Sequence, residues 1–378
     1  MEKKKMKIVN IIFCIAFLTM ITVPFCMLDT TEVIDSTLEN RRMTMWPGWG
    51  FDRAINEWYG HYVEDRVGFR EEAVRAYSVS IHSLFGEFSD GLHMYGEEKE
   101  IFPADRDYVR AYQNLATDEA LIDSLVTYLA RTDAYLDEQG IPFVFMTGLD
   151  KKTVYGEYIS DSIHVADNES VMEMLSRKLD DAGVPYVIPL QEYEELKKTQ
   201  KIYNKSYDCA HWNDLGAMAC LKLLSEKVRE ENPLVPALSE DAFNLTHEEK
   251  QVAYLAVPIP EVVPVYTLKP EYSESVVQDW ELAFKLDHME GTSVQHFTNE
   301  KALSDQTILI LQDSFLQDNA KYFTYRYKEV YLISRQNYER MQYYVETLRP
   351  DVVVYENAER SFVDDLYAYV NLANVTYE

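Results

Sequence analysis

The chain has 378 residues, of which 47% are hydrophobic, enough for one large α/β domain or two smaller ones. Its 64 acidic and 36 basic residues give a formal net charge of -28 at pH 7, which argues against DNA or RNA as a partner. The four cysteines form no Cys-x-x-Cys pair and no Cys/His ligand set, so we expect no metal site and no cofactor.

The N-terminus has the charge and hydropathy pattern of a membrane anchor. Four lysines among the first seven residues precede an uncharged run over 8–28. That run is close to the ~20 residues that a helix needs to cross a bilayer. Because lysines precede it and Asp29 follows it, we predict a cytoplasmic tail and transmembrane anchor over 1–28. The protein would then be single-pass in the cell membrane, with an extracellular or periplasmic body, and a cleaved signal peptide is the alternative.

A polar linker over 29–50 is predicted to lead into a domain over 51–378. Helical spacing of apolar residues predicts a helix over 51–85, and a hairpin follows over 92–103. Short apolar strands and amphipathic helices then alternate. The strands are predicted over 141–147, 186–190, 306–311, 330–334 and 351–355, and the helices over 118–139, 169–182, 214–231, beyond Ser314, 336–348 and 360–372. This alternation predicts a mostly parallel α/β sheet flanked by helices.

The stretch over 232–301 breaks this alternation. It contains six prolines and two strand-like apolar runs, which predict a β-rich antiparallel insertion between core elements. The insertion is either a lid over a binding site or a plain structural addition.

Two segments about a hundred residues apart carry reactive side chains. Asp208 lies three residues before His211, and an apolar strand ends in Asp313-Ser314. Ligands bind at the carboxyl ends of strands in such sheets, which favours a role for Ser314. A carboxylate, an imidazole and a hydroxyl are the three groups of an acyl-transfer triad. The predicted helix beyond Ser314 would also direct backbone N–H groups at an oxyanion.

Structural roles are the alternative for both segments. Asp313 or Ser314 is also a favourable helix N-cap. His211 would then be a capped loop histidine beside a core Trp212. The pair Asp287-His288 in the insertion is a rival acid-base pair, but it adjoins no candidate nucleophile.

Several short motifs resemble those of the SGNH hydrolase superfamily. The Asp-x-x-His block over 208–212 precedes the Asp-Ser block, an order similar to that of the SGNH-like acetyltransferases of the alginate AlgX/AlgJ type and the related DHHW proteins. Segments 64–70, 150–155 and 351–360 resemble further blocks of that group. One difference is Gln312, which stands where the group usually has glycine before Asp-Ser.

The resemblance implies an SGNH-like (flavodoxin-like) sheet and specific roles for residues. Ser314 would be the nucleophile, with its backbone N–H as an oxyanion donor, His211 the general base and Asp208 the group that orients the imidazole. The residues that would bind substrate are Gln312, Asp313, Trp212, Lys151, Tyr155, Glu356 and Arg360.

The same resemblance implies that acetyl groups are transferred to an extracellular polysaccharide, with a membrane-bound O-acyltransferase as the acetyl supplier. An esterase that hydrolyses glycan esters would use the same three side chains. A non-catalytic scaffold of envelope polysaccharide assembly is the third hypothesis. It rests on Gln312 and on the two residues between Asp208 and His211, where the group has one.

Overall fold

A computed structural model describes residues 2–31, 35–36, 41–46, 48, 53–251, 257–279, 294–362 and 372–377. The chain forms two compact units. One contains Met1–Asp90 with Gln251–Ile259, and the other contains Gly91–Lys250 with Pro260–Glu378.

The first unit is mainly helical. Helix α1 (Glu2–Cys26) contains the stretch Lys7–Cys26, which is long and apolar enough to cross a membrane and has exposed side chains. Helices α2 (Arg53–Arg66) and α3 (Arg70–Phe85) replace the single helix predicted over 51–85. The break lies at Phe69, whose φ of 62° places it in the left-handed region. The strands β1 (Asp35–Ser36) and β2 (Arg41–Arg42) form a short antiparallel pair.

The second unit is built around a seven-stranded sheet. Its strands in chain order are β5 (Phe143–Gly148), β6 (Tyr186–Val187), β9 (Val276–Gln278), β10 (Val294–Asn299), β11 (Thr307–Gln312), β12 (Glu329–Ser334) and β13 (Val352–Ala358). The order across the sheet is β6-β5-β13-β11-β12-β10-β9. The first five strands run parallel. At one edge, β10 pairs antiparallel with β12, and β9 pairs antiparallel with β10. The predicted mostly parallel α/β sheet is therefore confirmed.

Two small pairs of strands complete the β-structure. The hairpin of β3 (His93–Tyr95) and β4 (Ile101–Pro103) lies where a hairpin is predicted. Strands β7 (Phe243–Gln251) and β8 (Pro260–Leu268) form a separate two-stranded sheet within the predicted insertion. The insertion is not wholly separate, because β9 and β10 extend the main sheet. Residues 280–293, which include Asp287-His288, lie outside the described residues.

Helices flank the sheet in the second unit. They are α4 (Arg106–Tyr112), α5 (Glu119–Asp137), α6 (Lys151–Val154), α7 (Val171–Ala182), α8 (Leu190–Leu196), α9 (Asp214–Glu231), α10 (Pro270–Ser273) and α11 (Met341–Leu348). Local capping explains several starts, since Asp118 accepts from the Leu121 N–H and Ser170 forms a capping box with Glu173. The core strands are almost fully buried, as in Ile308–Leu311, where no side chain is more than 1% exposed.

Two further sequence predictions differ from the structure. The helix predicted beyond Ser314 is wrong, because turns follow up to a short 3-10 helix at Ala320–Tyr322. The strand predicted over 186–190 ends early and leads into α8, which the sequence did not indicate. The helix predicted over 360–372 lies mostly within 363–371, outside the described residues. Cys209 and Cys220 are both buried free thiols.

Candidate active site

Asp208, His211 and Ser314 lie in one hydrogen-bonded series. The His211 Nδ1 atom is 2.7 Å from Asp208 Oδ1, and His211 Nε2 is 3.0 Å from Ser314 Oγ. The structure thus brings together the three side chains that the sequence singles out. The series can pass a proton from the hydroxyl to the imidazole while the carboxylate holds the ring.

The elements of the sheet explain where these side chains lie. Ser314 is exposed two residues beyond the end of β11, at the carboxyl edge of the parallel strands. His211 and Asp208 are in the loop before α9, with Asp208 at a φ of 47°. Asn213 caps α9 through the N–H groups of Leu215 and Gly216, which fixes the end of that loop.

Asp313 organises the turn that carries Ser314. Its Oδ1 accepts the Ser314 N–H at 2.8 Å, and its Oδ2 accepts from Arg335 Nε at 2.6 Å. Burial alone would raise the pKa of Asp313, but the Arg335 guanidinium and the backbone donors lower it, so the carboxyl stays ionised. The expected oxyanion donor, the Ser314 N–H, is therefore already engaged by a carboxylate, and no helix N-terminus lies behind it.

A second carboxyl lies beneath this turn. Glu356, on β13, is fully buried and accepts the backbone N–H of Asp313. Burial, with the nearby Asp313 carboxylate, raises the pKa of Glu356 well above its usual value. Glu356 therefore supports the turn from below. The neighbouring Gln312 is also buried, and its Oε1 has no partner within the described part of the chain.

A carboxylate from the insertion holds the loop before Asp208, and sequence reasoning missed it. Glu261, on β8, accepts the N–H groups of Lys205, Ser206 and Tyr207 at 2.7 to 2.9 Å. Its Oε2 also accepts the Ser206 hydroxyl at 2.8 Å. Partial burial would raise the pKa of Glu261, but these donors outweigh it and lower the pKa. No local signal marks this residue, because its partners are more than fifty positions away.

Phe315 joins the two halves of the site by aromatic packing. Its ring centroid is 4.9 Å from that of His211 and 4.8 Å from that of Trp212, in edge-to-face geometry. The ring lies against Gly148 at the end of β5, where an added Cβ would be 2.4 Å from a ring atom. A side chain at position 148 would therefore displace the residue next to Ser314.

Two residues predicted to bind substrate, Lys151 and Tyr155, make contacts within the fold. The Lys151 ammonium is buried and donates to Glu100 Oε2 at 2.7 Å and to the Asn204 carbonyl at 2.8 Å. The Tyr155 hydroxyl accepts the N–H of Ile202. Neither side chain lines the clefts described below, and both hold the segment that leads to Asp208.

Arg360 also serves the His211 loop. Its guanidinium donates to Asp150 Oδ1 at 2.9 Å and to the Ala210 carbonyl. The guanidinium carbon lies 5.2 Å from the Phe315 ring centroid. Asp150 is in turn paired with the buried Lys152 at 2.7 Å. The end of β13 is thereby tied to the residue that precedes His211.

Two clefts open on either side of Ser314. The first cleft has a volume of about 350 Å³ and contains His211, Trp212 and Ser314 among its lining residues. The second cleft has a volume of about 200 Å³ and is lined by Gln312, Asp313, Ser314, Gln317, Ser334, Arg335 and Gln336. Within the described ranges, no group of three or more His, Cys, Asp or Glu side chains is placed to hold a metal ion.

No family model matches the sequence, and no curated protein matches it. Among solved structures, Bacillus cereus PatB1 is similar, with 14% identity, a TM-score of 0.56, and coverage of 73% of this chain and 99% of that chain. The structure of PatB1 with a sulfonyl adduct gives the same values. The O-acetyltransferase domain of Pseudomonas putida AlgJ has 14% identity and a TM-score of 0.49, covering 75% of this chain and 98% of that chain. At 14% identity, the similarity to PatB1 shows that the two chains share the mixed α/β fold described above.

Proposed function

We propose that this protein is a membrane-anchored extracytoplasmic O-acetyltransferase that acts on an exported or cell-surface polysaccharide. One observation supports it above all others, the hydrogen-bonded series Asp208–His211–Ser314 at the mouth of two clefts. The AlgJ structure is described as an O-acetyltransferase domain, which is the activity proposed here.

The proposed reaction has two steps. His211 Nε2 takes the proton of Ser314 as Oγ attacks the carbonyl carbon of the acyl donor. The leaving group receives that proton, and an acyl-serine remains. His211 then takes the proton of a sugar hydroxyl, whose oxygen attacks the acyl-serine. The bond from the acyl carbon to Ser314 Oγ breaks, and His211 returns the proton to Oγ. Asp208 holds the tautomer that presents Nε2 to the hydroxyl and stabilises the imidazolium.

The anchor fits this activity. A helix over 1–28 would hold the body near the membrane, where a membrane-bound O-acyltransferase supplies acetyl groups from the other side. The observation that supports this part is the exposed apolar stretch Lys7–Cys26.

One observation favours a second function, the hydrolysis of glycan esters. Ser314 is exposed, and the Asp208 side chain is 44% exposed, so water reaches the reacting atoms. An acyl-serine open to water hydrolyses unless a sugar hydroxyl captures it first. The two functions share every protein group and differ only in the acceptor.

Covalent labelling tests the shared step. The full-length chain in detergent is treated with a serine-reactive sulfonyl fluoride, and the adduct is located by mass spectrometry. We expect one adduct on Ser314 that His211→Ala reduces by about a hundredfold, because the hydroxyl then has no base. Ser334 in the second cleft serves as the internal control.

The outcomes separate the three hypotheses. An unlabelled Ser314 in the folded protein contradicts both enzymatic functions and favours a scaffold. A labelled Ser314 is followed by an assay with 4-nitrophenyl acetate and oligosaccharides. Sugar ester in excess of free acetate supports transfer, whereas free acetate alone supports hydrolysis.

A further inference from the structure

We infer that the acceptor glycan is uncharged, and that anionic glycans such as uronates are rejected. The inference rests on the proposed function and adds the substrate class. It is drawn from the charges that face the two clefts beside Ser314, through which an acceptor hydroxyl can approach the proposed acyl-serine.

The cations that line the clefts are already paired. Lys321 Nζ in the first cleft lies 2.7 Å from Asp214 Oδ2 and also donates to the Tyr266 carbonyl. In the second cleft, the buried Arg335 guanidinium lies 2.6 Å from Asp313 Oδ2. Both positive charges are thus cancelled by carboxylates of the same clefts. Recognition of a sugar carboxylate needs an arginine or lysine that is free to pair with it.

Lys250 is the third cation and has the weakest pairing. Its Nζ is 3.7 Å from Glu248 Oε2 and lies 5.6 Å from the Tyr207 ring centroid. The Glu248 carboxylate offsets this charge at longer range, and the ring adds a weak cation–π contact.

One carboxylate in the first cleft has no partner. Asp318 is exposed and makes no hydrogen bond or ion pair with any residue that the structure describes. The uncompensated charge in the clefts is therefore negative. The chain as a whole carries a net charge of -28, and the lysines of the first seven residues precede the anchor, so the body is more acidic still. The negative charge in the clefts and the negative charge of the body both repel a polyanionic chain.

The groups that remain available suit sugar hydroxyls. Side-chain amides and hydroxyls can both donate and accept hydrogen bonds, as each sugar hydroxyl does. Those that line the clefts and are exposed or partly exposed are Gln317, Asn319, Ser334 and Gln336. Of the aromatic rings that line the first cleft, Trp212 and Phe315 are buried and Tyr207 is partly exposed, so Tyr207 is the ring that can contact a pyranose.

Protection of Ser314 from labelling tests the inference without requiring transfer. The full-length protein is labelled with the sulfonyl fluoride in the presence of a β-1,4-linked glucose pentasaccharide, or of the same chain with each C6 oxidised to a carboxylate. We expect the neutral sugar to protect at a concentration about tenfold lower than the uronate. Added salt should narrow the difference by screening the repulsion. Equal or better protection by the uronate, or no protection by the neutral sugar, overturns the inference.

A charge reversal tests whether the first cleft sets the preference for the neutral sugar. Asp318→Lys supplies an unpaired cation in the first cleft and should improve uronate protection about tenfold. Asp181→Lys makes the same change in net charge at an exposed position of α7, outside both clefts. It should leave the preference for the neutral sugar unchanged. If both variants improve uronate protection equally, the clefts do not set the preference and the inference is wrong.

The acetyl-transfer assay keeps this inference separate from the proposed function. With 4-nitrophenyl acetate as donor, faster formation of uronate ester overturns the neutral-acceptor inference and leaves the transferase standing. Release of acetate with no ester on either sugar overturns the transferase, and the protection experiment then still decides which sugar the clefts bind.

Discussion

At the scale of single residues, the candidate site depends on how His211 is held. Its two ring nitrogens contact different groups, a carboxylate on one side and a hydroxyl on the other. The contact with Asp208 selects the tautomer with the proton on Nδ1 and leaves Nε2 to accept from Ser314. An amide in place of the carboxylate would support the opposite tautomer.

Asp208→Asn should therefore lower kcat for acyl transfer or hydrolysis about a hundredfold to ten-thousandfold while the protein stays folded. Ser314→Ala should leave only background turnover. Steady-state kinetics with 4-nitrophenyl acetate, with circular dichroism as a folding check, measure both. Asp161→Asn removes an exposed carboxylate outside both clefts and should be neutral. A loss of less than about threefold in Asp208→Asn would show that the carboxylate does not orient the ring.

Gly148 is the second residue whose identity matters to the geometry. Gly148→Ala would place a methyl group 2.4 Å from the Phe315 ring, so the ring and the turn with Ser314 must shift. We expect kcat to fall about tenfold or more and the free energy of unfolding to fall by about 1–3 kcal/mol. Kinetics and urea unfolding measure the two effects.

Gly60→Ala is the matched control for Gly148→Ala. It adds the same methyl group on α2, where nothing lies within 4 Å of the new Cβ. It should leave kcat unchanged and not weaken the fold, since alanine favours a helix over glycine. Wild-type kinetics in Gly148→Ala would contradict the tight packing of Phe315.

At the scale of elements, strand β8 of the insertion acts on the loop of the site. Glu261 satisfies three consecutive backbone N–H groups just before Asp208. Glu261→Gln replaces one acceptor oxygen by an N–H₂ group that faces these donors. We expect kcat to fall about tenfold, with KM little changed, because the loop loses its position rather than a substrate contact. Glu249→Gln, an exposed position on β7, is the control.

The same contact predicts a dependence of stability on pH. Unfolded glutamate titrates near ~4.3, and the donors lower the pKa of Glu261 in the folded protein. Its contribution to stability is therefore complete above ~4.3 and is lost as the pH falls through the lower folded value. Urea unfolding across acid pH should show a shallower loss of stability in Glu261→Gln than in the wild type. If both proteins lose stability equally steeply as the pH falls, the Glu261 carboxylate does not make these hydrogen bonds in solution.

The elements that the sequence predicted well are those with strong local patterns. Helix α9 spans Asp214–Glu231 as predicted, because an apolar periodicity and the cap Asn213 mark its start. The sequence also predicts a helix beyond Ser314, for which Asp313 or Ser314 would be a favourable N-cap. There the carboxylate of Asp313 instead pairs with Arg335, a contact between neighbouring strands that no local pattern encodes.

At the scale of the whole molecule, the predicted topology places α1 in the membrane and the body outside. We expect the intact protein to fractionate with membranes and its body to be digested by protease added to intact cells. Deletion of 2–28 should release the body to the soluble fraction, because the span supplies the apolar surface for insertion. Mass spectrometry of the membrane form should find the N-terminal lysines. A shortened N-terminus on a soluble protein would favour the cleaved signal peptide.

The sequence alone determined the class of the fold and singled out Asp208, His211 and Ser314 as candidates. Strand and helix periodicities are local, and Asp-x-x-His and Asp-Ser are short enough to recognise in a single chain. Only the tertiary structure decided the supporting contacts. In the structure, Lys151 and Tyr155 hold a loop through hydrogen bonds, and Asp313 accepts the Ser314 N–H. Glu261 accepts backbone N–H groups of the loop before Asp208. Each of these is a hydrogen bond whose direction depends on packing, and most join residues distant in sequence, so periodicity carries no record of them.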